Sequence, residues 1–305
     1  MQTRQVIAWF FMILLLASCG SNAPVQSFSD TLTSGTIHIS VDESFKPIID
    51  SQIQVFESAF PQAKIITHYK SEADCIRDLQ NDSIRMVIIT RGLNKTEEKI
   101  MKDTLRYYPI QGTMAYDAIA VVVNNAAKDS IFDMADIRSM VKGTSGYKYK
   151  VVMDGLSATS IVRYAMDSLL KGQPFGSNVV AAPSSQGVID YIASNKDAIG
   201  LVGVSWIGNR EDATQLSFLN KVRIASLECV ICRPTAYVKP YQANIATKRY
   251  PLVRSLQYVL KENYRGLGSG FVNFLTLERG QLIFRRAYLW PAKMAFDLRN
   301  ANISQ

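Results

Sequence analysis

Histidine is almost absent from this chain of 305 residues, which contains only His38 and His68. Acid–base catalysis by histidine and histidine-rich metal sites therefore have little to draw on, and we expect no metal and no cofactor. Both histidines lie inside segments that alternate like β-strands, and the chain has no Gly-x-Ser-x-Gly nucleophile elbow. These absences predict a protein that is not an enzyme, with a serine hydrolase as a remote alternative.

Clusters of basic residues are also missing, although 34 Lys and Arg against 26 Asp and Glu give a formal net charge of +8. The cations are spread along the chain, whereas nucleic-acid binders gather them into a stripe. We therefore expect no nucleic-acid partner. With 48% hydrophobic and 20% charged residues, the composition excludes collagen-like, disordered and multi-span membrane proteins, and the length predicts two domains or one large α/β unit.

Cysteine is scarce, with four residues in the chain. Cys229 and Cys232 have the spacing of a redox motif, but residues 226–232 are apolar and β-branched and predict a strand. Because residues three apart in a strand point to opposite faces, we expect no disulfide between them. Together with Cys75 they are predicted to be buried structural cysteines, and a thiol redox protein is a remote alternative.

The N-terminus has the features of an export signal. Arg4 precedes the apolar run 6–16, which is too short to span a bilayer comfortably, so residues 1–18 are predicted to be a signal peptide. The following Cys19 lies in a Leu-Ala-Ser-Cys-Gly segment that resembles the bacterial lipobox, and ordinary secretory cleavage is the alternative. Residues 19–34 then form a lipidated cysteine and a flexible tether. This predicts a protein anchored in the cell envelope that faces the periplasm, with the choice of membrane open.

Strand and helix patterns alternate from residue 35 to about residue 206, which predicts a mostly parallel sheet covered on both faces. From about residue 235 the pattern is mainly helical, with helices expected over 251–264 and 269–288. This order suggests two α/β domains, the last segment returning to the first. Parallel sheets of this kind bind ligands where loops leave the carboxyl ends of the strands.

Three of these strand ends carry short polar residues directly before a helix, at 42–45, 90–92 and 154–160. Hydroxyl groups, an arginine and helix N-termini together favour an anion. Helix capping uses the same residue types and is the alternative. The candidate binding residues are Asp42, Ser44, Thr90, Arg91, Asp154, Ser157, Thr159 and Ser160.

Several segments resemble the phosphate-binding solute receptors of ABC importers, the PstS-type periplasmic binding proteins, in the lipoprotein form of Bacteroidetes type. The segments are 35–60, 86–98, 116–124, 198–207, 250–254 and 266–291. The likeness spans about residues 35–292 and implies an α/β, two-lobed periplasmic binding protein fold, type II-like, with the ligand cleft between the lobes. Residues 35–112 plus 235–305 would form lobe 1, and residues 113–234 lobe 2.

The resemblance implies that Ser44, Thr90-Arg91 and Ser157-Ala158-Thr159 hold the anion. Ala158 stands where the family has glycine, and Asp42 and Glu43 stand where many relatives have small neutral residues. An unpaired carboxylate repels a phosphate dianion, but it also accepts the proton that phosphate keeps and fully ionised sulfate lacks. Asp42 and Asp154 are the candidates for that acceptor, with capping or exposure as the alternative for each.

The implied function is non-catalytic binding of inorganic phosphate by a monomer, which delivers it to a membrane importer. The same fold could instead bind another oxyanion, or serve as a sensory or assembly lipoprotein.

Overall fold

The computed structural model describes residues 30–155, 158–209 and 211–293. The predicted signal peptide, Cys19, the first part of the tether and Ser157 lie outside these ranges. Among the helices that the structure does describe, none combines the length and apolar character needed to cross a bilayer.

Thirteen strands are defined in the described ranges. In chain order they are β1 (Gly35–Asp42), β2 (Ala63–Lys70), β3 (Ile84–Ile89), β4 (Ile110–Asn124), β5 (Ile131–Phe132), β6 (Lys150–Met153), β7 (Val179–Ala181), β8 (Ala198–Gly203), β9 (Val222–Ile224), β10 (Ser226–Glu228), β11 (Tyr237–Val238), β12 (Val253–Leu260) and β13 (Trp290–Pro291).

The α-helices connect and cover these strands. They are α1 (Lys46–Ala59), α2 (Glu72–Asp78), α3 (Lys95–Leu105), α4 (Met134–Lys142), α5 (Ser160–Tyr164), α6 (Ser185–Ser194), α7 (Ala213–Leu219), α8 (Gln242–Ala246), α9 (Leu267–Thr276) and α10 (Glu278–Arg286). A single π-helical turn, Ala165–Leu169, follows α5, and 3-10 turns lie at Glu43–Phe45 and Val204–Trp206.

The main sheet has the strand order β2-β1-β3-β12-β4-β8-β6-β7, and β9 and β13 also pair with β4. At one end β1 runs parallel to β2 and β3, and at the other β6 runs parallel to β7 and β8. The 15-residue strand β4 joins the two parallel halves, because its first part pairs with β12 and its last part with β8. The halves are the two lobes of the predicted α/β fold.

Each lobe has its own hydrophobic core. In the first lobe alternate residues of β3 enter different layers: Met86 and Ile88 pack with α1 and α9, and Val87 and Ile89 pack with α2. This period of two is what a strand covered on both faces requires. In the second lobe the buried end of β4 packs with β6, β8 and α6.

The predicted helix over 251–264 is wrong, because the segment contains β12. Its hydrogen bonds to β3 on one side and β4 on the other make it a central strand of the first lobe. Pro251 suggested a helix start, but the cross-strand pairing of the β-branched and aromatic residues that follow outweighs this local signal.

The expectation about Cys229 and Cys232 is also wrong. The strand β10 ends at Glu228, and the chain then turns, so that the two Cα atoms lie 5.3 Å apart and the sulfurs form a disulfide. The alternation that separates residues three apart applies only within a strand. Cys75 is a buried free cysteine, as predicted.

Phe56 of α1 provides a test of the first core. Its ring is fully buried and meets Phe60, Phe271 and Phe274 edge to face, with centroids 5.0 to 5.4 Å apart. Phe56→Ala should lower the free energy of unfolding in urea by about 3–5 kcal/mol, because it leaves a cavity between α1 and α9. Leu277→Ala, at a side chain that is 64% exposed, should change it by about 0.5 kcal/mol or less. Equal urea midpoints for the two variants would contradict this assignment.

Candidate ligand site in the cleft between the lobes

A cavity of about 230 Å³ lies where the carboxyl ends of β1 and β2 from one lobe meet those of β6 and β7 from the other. This is the edge at which parallel α/β sheets bind ligands. Its lining residues are Asp42, Glu43, Tyr69, Lys70, Ser71, Asp154, Thr159, Pro183 and Ser184. Three of the predicted site residues, Asp42, Asp154 and Thr159, therefore meet in one cavity.

Two more predicted residues, Ser44 and Ser160, lie buried against Asp154. The Ser44 hydroxyl donates to Asp154 Oδ2 across the lobes at 3.4 Å, and it lies 3.4 Å from the Ser160 hydroxyl. Thr159 donates to Asp154 Oδ1 at 2.9 Å and accepts from the backbone N–H of Val162, so it also caps α5. Capping and membership of the site are thus not exclusive here.

Arg254 of β12 supplies the positive charge beneath these carboxylates. Its Nε donates to Asp117 Oδ2 at 2.9 Å, and its Nη1 donates to the Ser160 hydroxyl at 2.8 Å. The guanidinium lies over the ring of Phe45, 4.8 Å from the centroid. A Cβ atom on Gly203 would lie 2.9 Å from Nη2, so this approach needs the bare glycine backbone.

Burial and mutual repulsion favour the protonated forms of the cleft carboxyls. Asp42 Oδ1 accepts the backbone N–H of Ser44 at 2.9 Å, while its buried Oδ2 has no hydrogen bond of ordinary geometry among the described residues. Burial raises the pKa of Asp42, against the opposing charge of Arg254. Burial, and then the charge of Asp42, raise the pKa of Asp154 to about 7. At neutral pH Asp154 is therefore poised between its two protonation states.

Glu43 also faces the cleft. Its Oε2 accepts the hydroxyl of Ser185, at the start of α6 in the other lobe, at 2.7 Å. Burial raises the pKa of Glu43, and the hydrogen bonds from Ser185 oppose that shift. Both acidic residues of the first loop thus lie against the other lobe.

Thr90 and Arg91 are not brought to this cavity. Thr90 donates its backbone N–H and its hydroxyl to Glu72, at 2.9 and 2.5 Å. Arg91 forms a two-pronged ion pair with Glu97, with both bonds at 2.7 Å. Arg91 lines a second cavity of about 270 Å³ beside Glu72.

Sequence reasoning missed Arg254, Asp117, Ser71 and Ser184 as members of the site. Arg254 is the one charged residue of β12, and a lone charge in a central strand signals a buried ion, but the helical interpretation of 251–264 hid it. Ser71 and Ser184 both precede a helix at a strand end, and the signal used for the other loops applied to them as well.

The two-lobed α/β architecture with a polar cleft between the lobes is the fold of the periplasmic binding protein class. Residues 27–279 match the model of the PBP superfamily domain, and the chain belongs to that superfamily.

Known structures share the fold at low sequence identity. A phosphate ABC transporter substrate-binding protein assigned in Clostridium perfringens, solved with bound phosphate, has a TM-score of 0.70 and 18% identity over 85% of this chain and 100% of its own. An ABC-type phosphate transport receptor from Vibrio cholerae has a TM-score of 0.60 and 18% identity over 84% and 100%. A substrate-binding domain assigned to a molybdenum ABC transporter from Clostridium difficile reaches 0.50 and 12% over 84% and 98%. No curated protein sequence matches.

These findings confirm the predicted fold and its likeness to phosphate receptors. Because the same fold occurs in a protein assigned to molybdenum transport, fold alone does not choose the anion.

Arg254 is predicted to stabilise the whole cleft. Arg254→Met should lower the free energy of unfolding by about 3–5 kcal/mol at pH 7, because it leaves Asp117 buried without its counter-charge. Arg286→Met removes an exposed ion pair with Glu211 and should cost less than about 1 kcal/mol. Urea denaturation of both variants makes the comparison, and an Arg254→Met protein as stable as the wild type would refute the role given to this ion pair.

Proposed function

We propose that this chain is an extracytoplasmic, non-catalytic receptor that binds inorganic phosphate in the cavity lined by Asp42 and Asp154 and delivers it to a membrane importer. The observation that carries the proposal is the acceptor chemistry of the cavity. Asp42 has a buried oxygen without an ordinary partner, and the pKa of Asp154 is about 7. Such a site favours an anion that brings its own proton.

Phosphate meets this requirement and sulfate does not. At neutral pH inorganic phosphate keeps an acidic O–H, which can be donated to a carboxylate, whereas sulfate is fully ionised. A buried acceptor left facing sulfate would be both unpaired and repelled by it. Discrimination between two anions of the same shape would thus come from one proton.

Donors for the remaining phosphate oxygens surround the cavity. The Ser184 hydroxyl, which accepts the Gly187 N–H, lines it with a proton to donate, and so does Lys70, whose ammonium also pairs with Asp78 at 2.7 Å. The hydroxyls of Ser71 and Thr159 line it too, and would exchange Asp74 and Asp154 for phosphate on binding.

The N-terminus of α6, a helix of ten residues, starts at Ser185 beside the cavity. Glu43 already accepts the N–H and the hydroxyl of Ser185, so a bound anion would share the positive end of this helix dipole with Glu43. The proposed binding set is therefore Asp42, Ser44, Asp154, Thr159 and Ser160. Ser160 accepts a hydrogen bond from Arg254 and so links the set to the buried cation.

The remaining predicted ligands stand apart from this set. Thr90 and Arg91 would have to leave Glu72 and Glu97 to reach the cavity, and Ser157 lies outside the described residues. Their role as ligands stays a prediction.

The same proposal includes a lipid anchor at Cys19, a monomeric state and the predicted lobe boundaries. Packing of β12, α9 and α10 with β1 and α1 supports assigning the segment from β12 onward to lobe 1 with residues 35–112. Val238, Ile245 and Tyr250 pack in the core of the second lobe, which favours a boundary nearer to Val253 than to residue 235. Relatives of this fold named for ABC transport support a site outside the cytoplasm.

The carboxylates of the cavity also favour a second candidate. The lining has three carboxyl groups, from Asp42, Glu43 and Asp154, and one ammonium group, from Lys70. A cavity with this excess of negative charge could have lost affinity for anions. The protein would then use the same fold in sensing or envelope assembly.

Isothermal titration of the purified protein with phosphate and then with sulfate separates these candidates. We expect phosphate to bind at pH 7 and at pH 8, and sulfate to give no heat at pH 8, where Asp154 with a pKa of about 7 is mostly ionised. The dissociation constant for phosphate should rise up to about tenfold per pH unit above pH 7, because Asp154 and the ligand then both lose the proton that they share. If neither phosphate nor sulfate gave heat, the result would favour the second candidate and reject the phosphate receptor.

Asp154→Asn tests the residue assigned to the proton. The amide has the shape of the carboxyl but no negative charge, so the variant should bind sulfate measurably and lose most of the preference for phosphate. Asp103→Asn, at an exposed position in α3, is the matched control and should keep that preference. Unchanged selectivity in a folded Asp154→Asn protein would show that the proton acceptor lies elsewhere.

A further inference from the structure

A second set of anion ligands lies between the lobes, away from the cavity of Asp42 and Asp154. It consists of the backbone N–H and hydroxyl of Thr90, at the end of β3, and the guanidinium of Arg163 in α5. These groups belong to different lobes and converge on one point. A backbone N–H, a hydroxyl and an arginine fork are the donors that hold a carboxylate or a phosphate.

The carboxylate of Glu72, the first residue of α2, occupies that point. Its Oε1 accepts the Thr90 N–H at 2.9 Å and the Thr90 hydroxyl at 2.5 Å, and its Oε2 accepts Arg163 Nε at 2.5 Å. Arg163 Nη2 also donates to the Thr90 hydroxyl at 2.6 Å, which closes the network. Glu72 is 1% exposed, so its charge is neutralised by these donors rather than by solvent.

The donors around Glu72 favour its ionised form. Burial alone would raise its pKa, but the hydrogen bonds and charge of Arg163, together with the bonds from Thr90, leave the pKa of Glu72 below its usual range. The other carboxylate beside Arg163, Asp167, is exposed and 3.5 Å away, so it contributes little.

The contact joins the lobes at a point where their backbones also meet. The N–H of Ala73, next to Glu72, donates to the carbonyl of Ala158 in the other lobe at 3.0 Å. Ala158 has a φ of 71°, a left-handed conformation that costs an alanine about 1–2 kcal/mol, and the surrounding contacts must hold it there.

We propose that the Glu72 carboxylate is a built-in anion, which fills an oxyanion site shared by Thr90 and Arg163 and so fastens the two lobes together independently of any bound ligand. The site would otherwise take a small carboxylate or phosphate. The cavity of about 270 Å³ lined by Glu72, Ala73, Ala158 and Arg163 gives such an ion a path to it. This assignment does not depend on phosphate binding at Asp154.

Chemical rescue of Glu72→Ala tests the proposal. The substitution removes the carboxylate and leaves its donors in place, so the thermal midpoint should fall by roughly 10 °C, as expected for a broken buried ion pair. Sodium acetate should then raise the midpoint of the variant by several degrees in a saturable way, relative to sodium chloride at equal ionic strength. Inorganic phosphate is the second probe, and it should raise the thermal midpoint of the variant in the same saturable way.

The matched control is Asp167→Ala, which removes the exposed carboxylate beside the same arginine. This variant and the wild type should show no saturable response to acetate. A folded Glu72→Ala protein that responds no more than the wild type overturns the proposal. If Glu72→Ala does not fold, small-angle scattering of Glu72→Gln decides: the radius of gyration should exceed that of the wild type, and an unchanged value overturns the proposal.

The two proposals fail separately. Phosphate titration of the wild type reports on the cavity of Asp154, whereas the acetate response of Glu72→Ala reports on Thr90 and Arg163. Rescue by acetate without phosphate binding in the wild type would leave the built-in anion standing and reject the phosphate receptor.

Discussion

The buried charge of Arg254 is the constraint on which the rest of the cleft depends. It comes from β12, the strand that lies between β3 and β4, and it reaches Asp117 on β4 and Ser160 at the start of α5. A guanidinium enclosed by protein is tolerated only when carboxylates and hydroxyls satisfy it. The ring of Phe45 adds a cation–π contact to the guanidinium, and the missing side chain of Gly203 leaves room for Nη2. Residues from both lobes are thus positioned by one side chain that belongs to the returning segment of the chain.

One arginine cannot neutralise three neighbouring buried carboxyls, and this imbalance gives the site its chemistry. Asp117 receives the direct ion pair, while Asp42 and Asp154 feel the cation at longer range and repel each other. Burial, and then the charge of Asp42, raise the pKa of Asp154 to about 7, and the charge of Arg254 opposes that shift less than the hydrogen bond from Thr159 does. A carboxyl that takes up and releases a proton near neutral pH is suited to a ligand that also exchanges one.

The sequence predicts the alternating strands and helices from residue 35 to about residue 206 because hydrophobic period and capping are local signals. Strand β12 was mistaken for a helix because its pairing partners β3 and β4 lie far away in the chain, and with it the role of Arg254 was lost. The disulfide was missed for a similar reason, since the position at which β10 ends decides whether Cys229 and Cys232 meet. Within the site, residue type predicted that Asp42, Asp154 and Thr159 would gather at the strand ends. It could not predict that Thr90 would be engaged by Glu72, because that contact depends on how α2 packs against β3.

The two carboxylate environments of the cleft differ in their balance of hydrogen-bond donors and acceptors. Around Asp42 and Asp154 acceptors exceed donors, so the local structure is short of protons and cations. Around Thr90 and Arg163 donors are in excess, and Glu72 supplies the missing negative charge from within the chain. In a receptor whose lobes are bridged by an anion, closure depends on the ligand. A bridge supplied by a side chain separates closure from binding, because the free energy that joins the lobes is then available in every molecule and a ligand adds only its own contacts. Affinity at the cavity of Asp154 would therefore be set by complementarity of charge and proton rather than by the work of closing the cleft.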